Sequence, residues 1–159
     1  MASRQQMGET ATPLGRAEPG RLASAAAGAL FLLVGVLGFV PGVTSGHDGM
    51  TFAGHESTAA LFGVFSVSVL HNLLHVVFGV AGLALATTPR GARVFLVGGG
   101  LVYLALSGYG VVVDHSADVV PVNAADNWLH LFLGLALLAL AFMVGTPRRP
   151  TNTPIHAPD

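Results

Sequence analysis

Four apolar stretches, separated by short polar connections, dominate the pattern of this chain. Leu22 to Val40 forms the first, and it ends at Phe39-Val40-Pro41-Gly42 with no small-x-small cleavage site, so it reads as a retained span. The second runs from Ala59 to Ala86, 28 residues. As one helix it would extend about 42 Å, well beyond a hydrocarbon core of roughly 30 Å. His71 and Asn72 divide it, which predicts a short interfacial or re-entrant helix over Ala59 to Leu70 and a span over Leu73 to Thr88, closed by Pro89. Val94 to Val113 and Trp128 to Gly145 complete the set, with Trp128 placed to mark a membrane interface. The pattern predicts an all-α bundle of four transmembrane helices over about 22–40, 73–88, 94–113 and 128–145. Residues 1–21 and 146–159, polar and rich in Pro and Gly, read as disordered cytoplasmic tails around a membrane domain at 22–145.

Composition supports the class. Of 159 residues, 52% are hydrophobic and only 9% charged, against roughly 25% charged in soluble domains. There is no cysteine, which excludes disulfides, thiolate metal sites and thiol nucleophiles. A net charge of −1, with no basic stretch interleaved with aromatics, argues against a nucleic-acid partner. The lipid bilayer is the expected partner, with a second copy or another membrane protein as further candidates.

Charge sets orientation. Arg4, Arg16 and Arg21 precede the first stretch, Arg90 and Arg93 lie between the second and third, and Arg148 and Arg149 follow the fourth. Asp48, Glu56, Asp114, Asp118 and Asp126 fall in the two other connections. Positive charge is retained on the cytoplasmic side, so both termini are expected in the cytoplasm of a bacterial inner-membrane protein.

The chain also repeats itself. Asn72-Leu73-Leu74-His75-Val76-Val77-Phe78-Gly79-Val80-Ala81 aligns with Asn127-Trp128-Leu129-His130-Leu131-Phe132-Leu133-Gly134-Leu135-Ala136, at an offset of 55 residues. The shared Asn-x-Leu-His-x-x-x-Gly-x-Ala predicts two helical hairpins of the same orientation, a kind of parallel repeat used by some membrane proteins. It also places His75 and His130 at equal depth, about a turn inside the outer surface.

The histidines are the candidate chemistry. His71 and His75, spaced i and i+4, share a helix face and can both reach one ion. His130, His47 and His55 join them on the outer side, as does His115. Imidazole and carboxylate without thiolate suit zinc or copper(II), although no His-Glu-x-x-His or other metalloenzyme signature is present. The competing reading is structural: Asn72 and Asn127 cap their helices, and His75 and His130 complete a polar cluster with them. A third reading has His75 and His130 ligating a b-type haem as part of an electron-transfer or quinone-linked component, but the chain offers one such pair only. No cofactor is assigned and no catalytic residue stands out, so a non-enzymatic role is expected for the outer face: structure, partner contact or weak metal binding. Gly98-Gly99-Gly100 lacks a following Lys-Ser/Thr and sits in an apolar helix, so it reads as packing, not as a phosphate loop.

Gly38-Phe39-Val40-Pro41-Gly42, Leu61-Phe62-Gly63-Val64-Phe65 and Leu70-His71-Asn72-Leu73-Leu74-His75-Val76-Val77-Phe78-Gly79 together resemble a family of small, largely actinobacterial, integral membrane proteins. That family is carried as a domain of unknown function. The resemblance implies a four-helix membrane architecture over about Leu22 to Gly145 and transfers no activity or ligand. A looser similarity to four-helix DoxX-like membrane proteins rests on size and topology alone.

The arginine asymmetry makes orientation directly measurable. Reporter fusions after Arg93 and Arg149 should report cytoplasm, and fusions after Gly49 and Asp118 the outside. A cytoplasmic signal at Gly49 overturns the assignment.

Overall fold

The computed structural model describes residues 18–112 and 119–144. Most of both tails lies outside these residues, as do Asp114, His115 and Asp118. Among the described residues there are four helices: α1 Pro19–Leu37, α2 Val69–Leu85, α3 Pro89–Val112 and α4 Ala124–Met143. By length and composition α1, α3 and α4 can each cross a membrane, whereas α2, at 17 residues, is shorter.

Each helix begins where its sequence supplies a start signal. Pro19 opens α1 at a position where its missing N–H costs nothing. Ser68 caps α2 by accepting from the His71 N–H at 3.1 Å. Asn123 and Asp126 form a reciprocal capping box for α4. These caps set α2 and α4 one turn earlier than the apolar pattern suggested. Asn72 and Asn127, expected as caps, therefore lie inside their helices.

The segment between α1 and α2 departs most from expectation. No helix forms over Ala59 to Leu70. Instead β1 Thr44–Ser45, β2 Ala60–Leu61 and β3 Phe65–Ser66 build a small antiparallel sheet. Thr44 pairs with Leu61, and Leu61 in turn pairs with Phe65. The β2–β3 turn needs two left-handed residues, Phe62 at φ 54° and Gly63 at φ 71°, which a helix cannot accommodate. Val64, Phe65 and Val67 add β-branched and aromatic side chains suited to a half-buried sheet. Beneath it Ala59, Leu61 and Val67 pack with Val34, Leu37 and Phe65. This cap seals one end of the bundle.

The helices associate mainly as α1 with α2 and α3 with α4. Contacts within the two pairs correspond. Arg21 Nε donates to the Ala86 carbonyl at 2.9 Å, and Arg93 Nη1 donates to the Ala141 carbonyl at 3.2 Å. The pairs meet through Phe31, Phe95, Leu96, Tyr103, Leu137 and Ala141. Phe31 and Tyr103 stack with ring centroids 5.2 Å apart and planes 12° from parallel. Outward, Val77, Val94, Val111 and Phe132 are all more than 60% exposed, which leaves an apolar belt around the bundle.

Within α1–α2 the backbones touch. A Cβ at Gly28 would meet Leu83 N at 2.7 Å and the Gly79 carbonyl oxygen at 2.9 Å, both immobile backbone atoms. Gly98, by contrast, faces open space. Gly28→Ala should therefore lower stability in detergent by about 1–3 kcal/mol through overpacking. Gly98→Ala should be neutral or stabilising by up to about 1 kcal/mol. Thermal unfolding of both variants checks the pair, and equal effects would contradict this packing.

Candidate functional site

Three histidines meet beneath the cap. The Ser68 cap fixes the first turn of α2 and thereby His71, and His75 follows one turn later. Their rings lie 4.8 Å apart. His75 Nδ1 is 3.0 Å from the carbonyl oxygen of His71, and its Nε2 is 3.4 Å from the Tyr103 hydroxyl. A carbonyl can only accept, so Nδ1 carries the proton. In the neutral ring Nε2 is then the acceptor for the Tyr103 O–H. His75 is thus fully engaged.

His130 comes from α4, one turn beyond Asp126. Its ring centroid is 6.3 Å from that of His71 and 5.2 Å from that of Tyr103. His71 and His130 are both buried, at 5% and 4% exposure. Nδ1 of each has no hydrogen-bond partner among the described residues. Buried polar atoms almost always have a partner, and stranding one costs about 1–3 kcal/mol. Two such atoms in one cluster need a physical reason.

Asp126 holds the roof in place. Its Oδ2 accepts from the backbone N–H of Ser66 at 3.0 Å and from that of Asn123 at 2.9 Å. The Asn123 amide donates to the Val64 carbonyl at 2.7 Å and to Ser66 Oγ at 3.0 Å. Strand β3 is thereby fastened to α4, 60 residues away in sequence.

Two cavities flank the cluster. The first, about 80 Å³, lies among Val34, Leu129, Leu133, Asp126 and the β2–β3 residues. The second, about 190 Å³, lies among Leu74, Phe78, Val102, Tyr103, Leu106 and Val122. His71, His75 and His130 line both.

The sequence-predicted residues separate into groups. His71, His75 and His130 come together. His47 lies in a 3₁₀ turn of the cap and His55 is exposed, and neither lines these cavities. Among the described residues, no group of three or more His, Asp or Glu converges in a metal-holding arrangement. Asn72 borders the first cavity and packs against Gly38, with Nδ2 3.8 Å from Met50 Sδ. Asn127 turns toward α3, where Nδ2 donates to the Gly110 carbonyl at 2.9 Å. Each asparagine therefore serves its own helix pair. Tyr103, Ser68 and Asn123 were not singled out from sequence as site residues. Asn123-x-x-Asp126 carried a legible capping signal, but Tyr103 had none beyond being a polar group in an apolar helix.

A mainly helical domain with three apolar helices long enough to cross a membrane, a small sheet at one end and a buried polar cluster has the features of a membrane protein. The chain belongs to the family described as Domain of unknown function (DUF4383), which matches residues 21–143. No curated protein and no solved structure shows significant similarity to it.

The Asp126 clamp can be tested by substitution. Asp126→Ala strands the Ser66 and Asn123 N–H groups and should cost about 1–3 kcal/mol in thermal unfolding, whereas Asp126→Asn keeps an acceptor oxygen and should cost less. Equal losses in both variants would show that the carboxylate charge, not the hydrogen bonds, holds the cap.

Proposed function

We propose that this chain is a four-span protein of the bacterial inner membrane, with both termini cytoplasmic, that binds a small molecule drawn from the lipid phase at its histidine cluster. The apolar belt, the three membrane-length helices and the arginine asymmetry support the placement. Helix α2 spans about 26 Å at 1.5 Å per residue, and the cap continues it toward the outer surface. Corresponding contacts in the two helix pairs support a parallel internal repeat. Residues offset by 72 in α1 and α3, and by 55 in α2 and α4, take matching places: Arg21 and Arg93, Phe31 and Tyr103, Ala86 and Ala141, His75 and His130.

The binding reading rests on one observation, the two buried and unpartnered Nδ1 atoms in histidines that line both cavities. A polar group inside a membrane protein is costly and marks a functional site by default. The role proposed is binding without covalent chemistry. Metal has less support, because His75 has both ring nitrogens engaged and His47 and His55 lie elsewhere. Haem between His75 and His130 has less still, since iron ligation needs a free ring nitrogen on each and both of His75's are engaged.

Stability separates binding from a structural role. If His130 serves a ligand, His130→Leu in the ligand-free protein should leave the melting temperature unchanged or raise it, because it removes an unpaired buried nitrogen. A loss of about 1–3 kcal/mol would show that His130 supports the fold and would reject this reading. His75→Leu, which strands the Tyr103 hydroxyl, supplies the destabilised comparison.

A further inference from the structure

The two cavities occupy corresponding places in the two halves of the chain. Val34, Leu129, His130 and Leu133 line the first; Leu106, Leu74, His75 and Phe78, at the same 72- and 55-residue offsets, line the second. What distinguishes them is the roof. The β2–β3 hairpin places Leu61, Phe62, Phe65 and Val67 against the first cavity, leaving about 80 Å³ with Asp126 in its wall. Among the described residues the second has Val120 and Val122 above it, and it keeps about 190 Å³. A dry cavity of about 150 Å³ suffices for one benzene ring, so the second cavity admits a ring and the first does not.

The walls of the second cavity define the ring further. Phe78 and Tyr103 stand edge-to-face, with centroids 5.9 Å apart, and form a rigid aromatic boundary. Leu74 and Val102, 48% and 45% exposed, flank it on the lipid-facing surface, which gives lateral access from the bilayer. His71 and His130 close the inner end with imidazole nitrogens that can donate or accept. The described arginines, Arg21, Arg90 and Arg93, sit at the opposite end of the bundle, so no cation is there to neutralise an acid. Asp126 lies against the other cavity and is already bonded to Ser66 and Asn123, so among the described residues no acid lines this one.

Building on the binding role above, we propose that the α2–α3 cavity takes a neutral, lipid-soluble, single-ring compound bearing a carbonyl or hydroxyl oxygen, of which the quinone ring is the test case. The ring lies against Phe78 and Tyr103, and its oxygen hydrogen-bonds to His71 or His130.

Full-length protein in lipid nanodiscs is titrated with decylubiquinone by calorimetry, alongside extraction and mass spectrometry of small molecules copurifying with it. Saturable one-to-one binding is expected. Leu106→Trp, which fills the cavity, and Val102→Trp, at its exposed mouth, should each weaken binding by about tenfold or more. Val34→Trp, in the corresponding place of the other cavity, should leave affinity within about threefold. His71→Leu and His130→Leu should weaken it by about five- to a hundredfold, the worth of one buried hydrogen bond. If decylubiquinone does not bind but another compound copurifies with the wild type and is lost from Leu106→Trp, the ligand class is wrong and the site stands. If nothing binds and nothing copurifies, both the ligand class and the binding role fall. Binding that survives both Trp variants at α2–α3 places the ligand elsewhere and overturns the proposal.

Discussion

In a lipid surrounding, every backbone N–H and C=O must find its partner within the protein, and helix ends are where that requirement is hardest to meet. Much of what is distinctive in this chain answers it. Thr44, buried beneath the cap, donates to the carbonyls of Leu37 and Gly38 at the end of α1. Arg21 and Arg93 do the same for the ends of α2 and α4, each from the neighbouring helix. Ser68 and Asn123 cover the starting turns. The partners that satisfy helix ends are thus also the contacts that pair the helices, so capping and tertiary packing are one set of interactions.

The histidine cluster follows from the same arrangement. The caps at Ser68 and Asn123 fix the phase of α2 and α4, and that phase turns His71, His75 and His130 inward together. A start one residue later would rotate each side chain by about 100° around its helix. His71 or His130 would then meet lipid. The cluster thus depends on two polar caps, Ser68 buried and Asn123 bonded to the sheet at Val64 and Ser66.

The sequence made the helices legible because each carries a long apolar stretch, and the Asn-x-Leu-His repeat pointed to two of the three clustered histidines, His75 and His130. It misplaced the starts of α2 and α4, since Asn72 and Asn127 resemble caps at the edge of the strongest apolar run, while the residues that cap, Ser68 and Asn123, lie one turn earlier. It also misread Ala59 to Leu70. That run is apolar enough for a helix, but its strands pair with each other and with Thr44 and Ser45, 15 or more residues away. Such pairing is a tertiary fact that local periodicity cannot report. His47 and His55 were grouped with the cluster by their position in the chain, yet the cap carries them apart from it. The role of Tyr103 depends on its stacking with Phe31 across the two helix pairs, a contact invisible in either helix alone.

The attachment of β3 to α4 has a mechanical meaning. The two helix pairs are joined by the short link between α2 and α3 at the arginine end and by the Asp126–Ser66 bond at the sheet end. Tied at both ends, the two pairs can part only if the Asp126–Ser66 bond is broken or the sheet moves with α4. Any movement of α4 that does occur is passed through Asp126 to the sheet. The cap, with Phe52 and Phe62 exposed on it, is the part of the protein where a displacement inside the bundle would become visible to its surroundings.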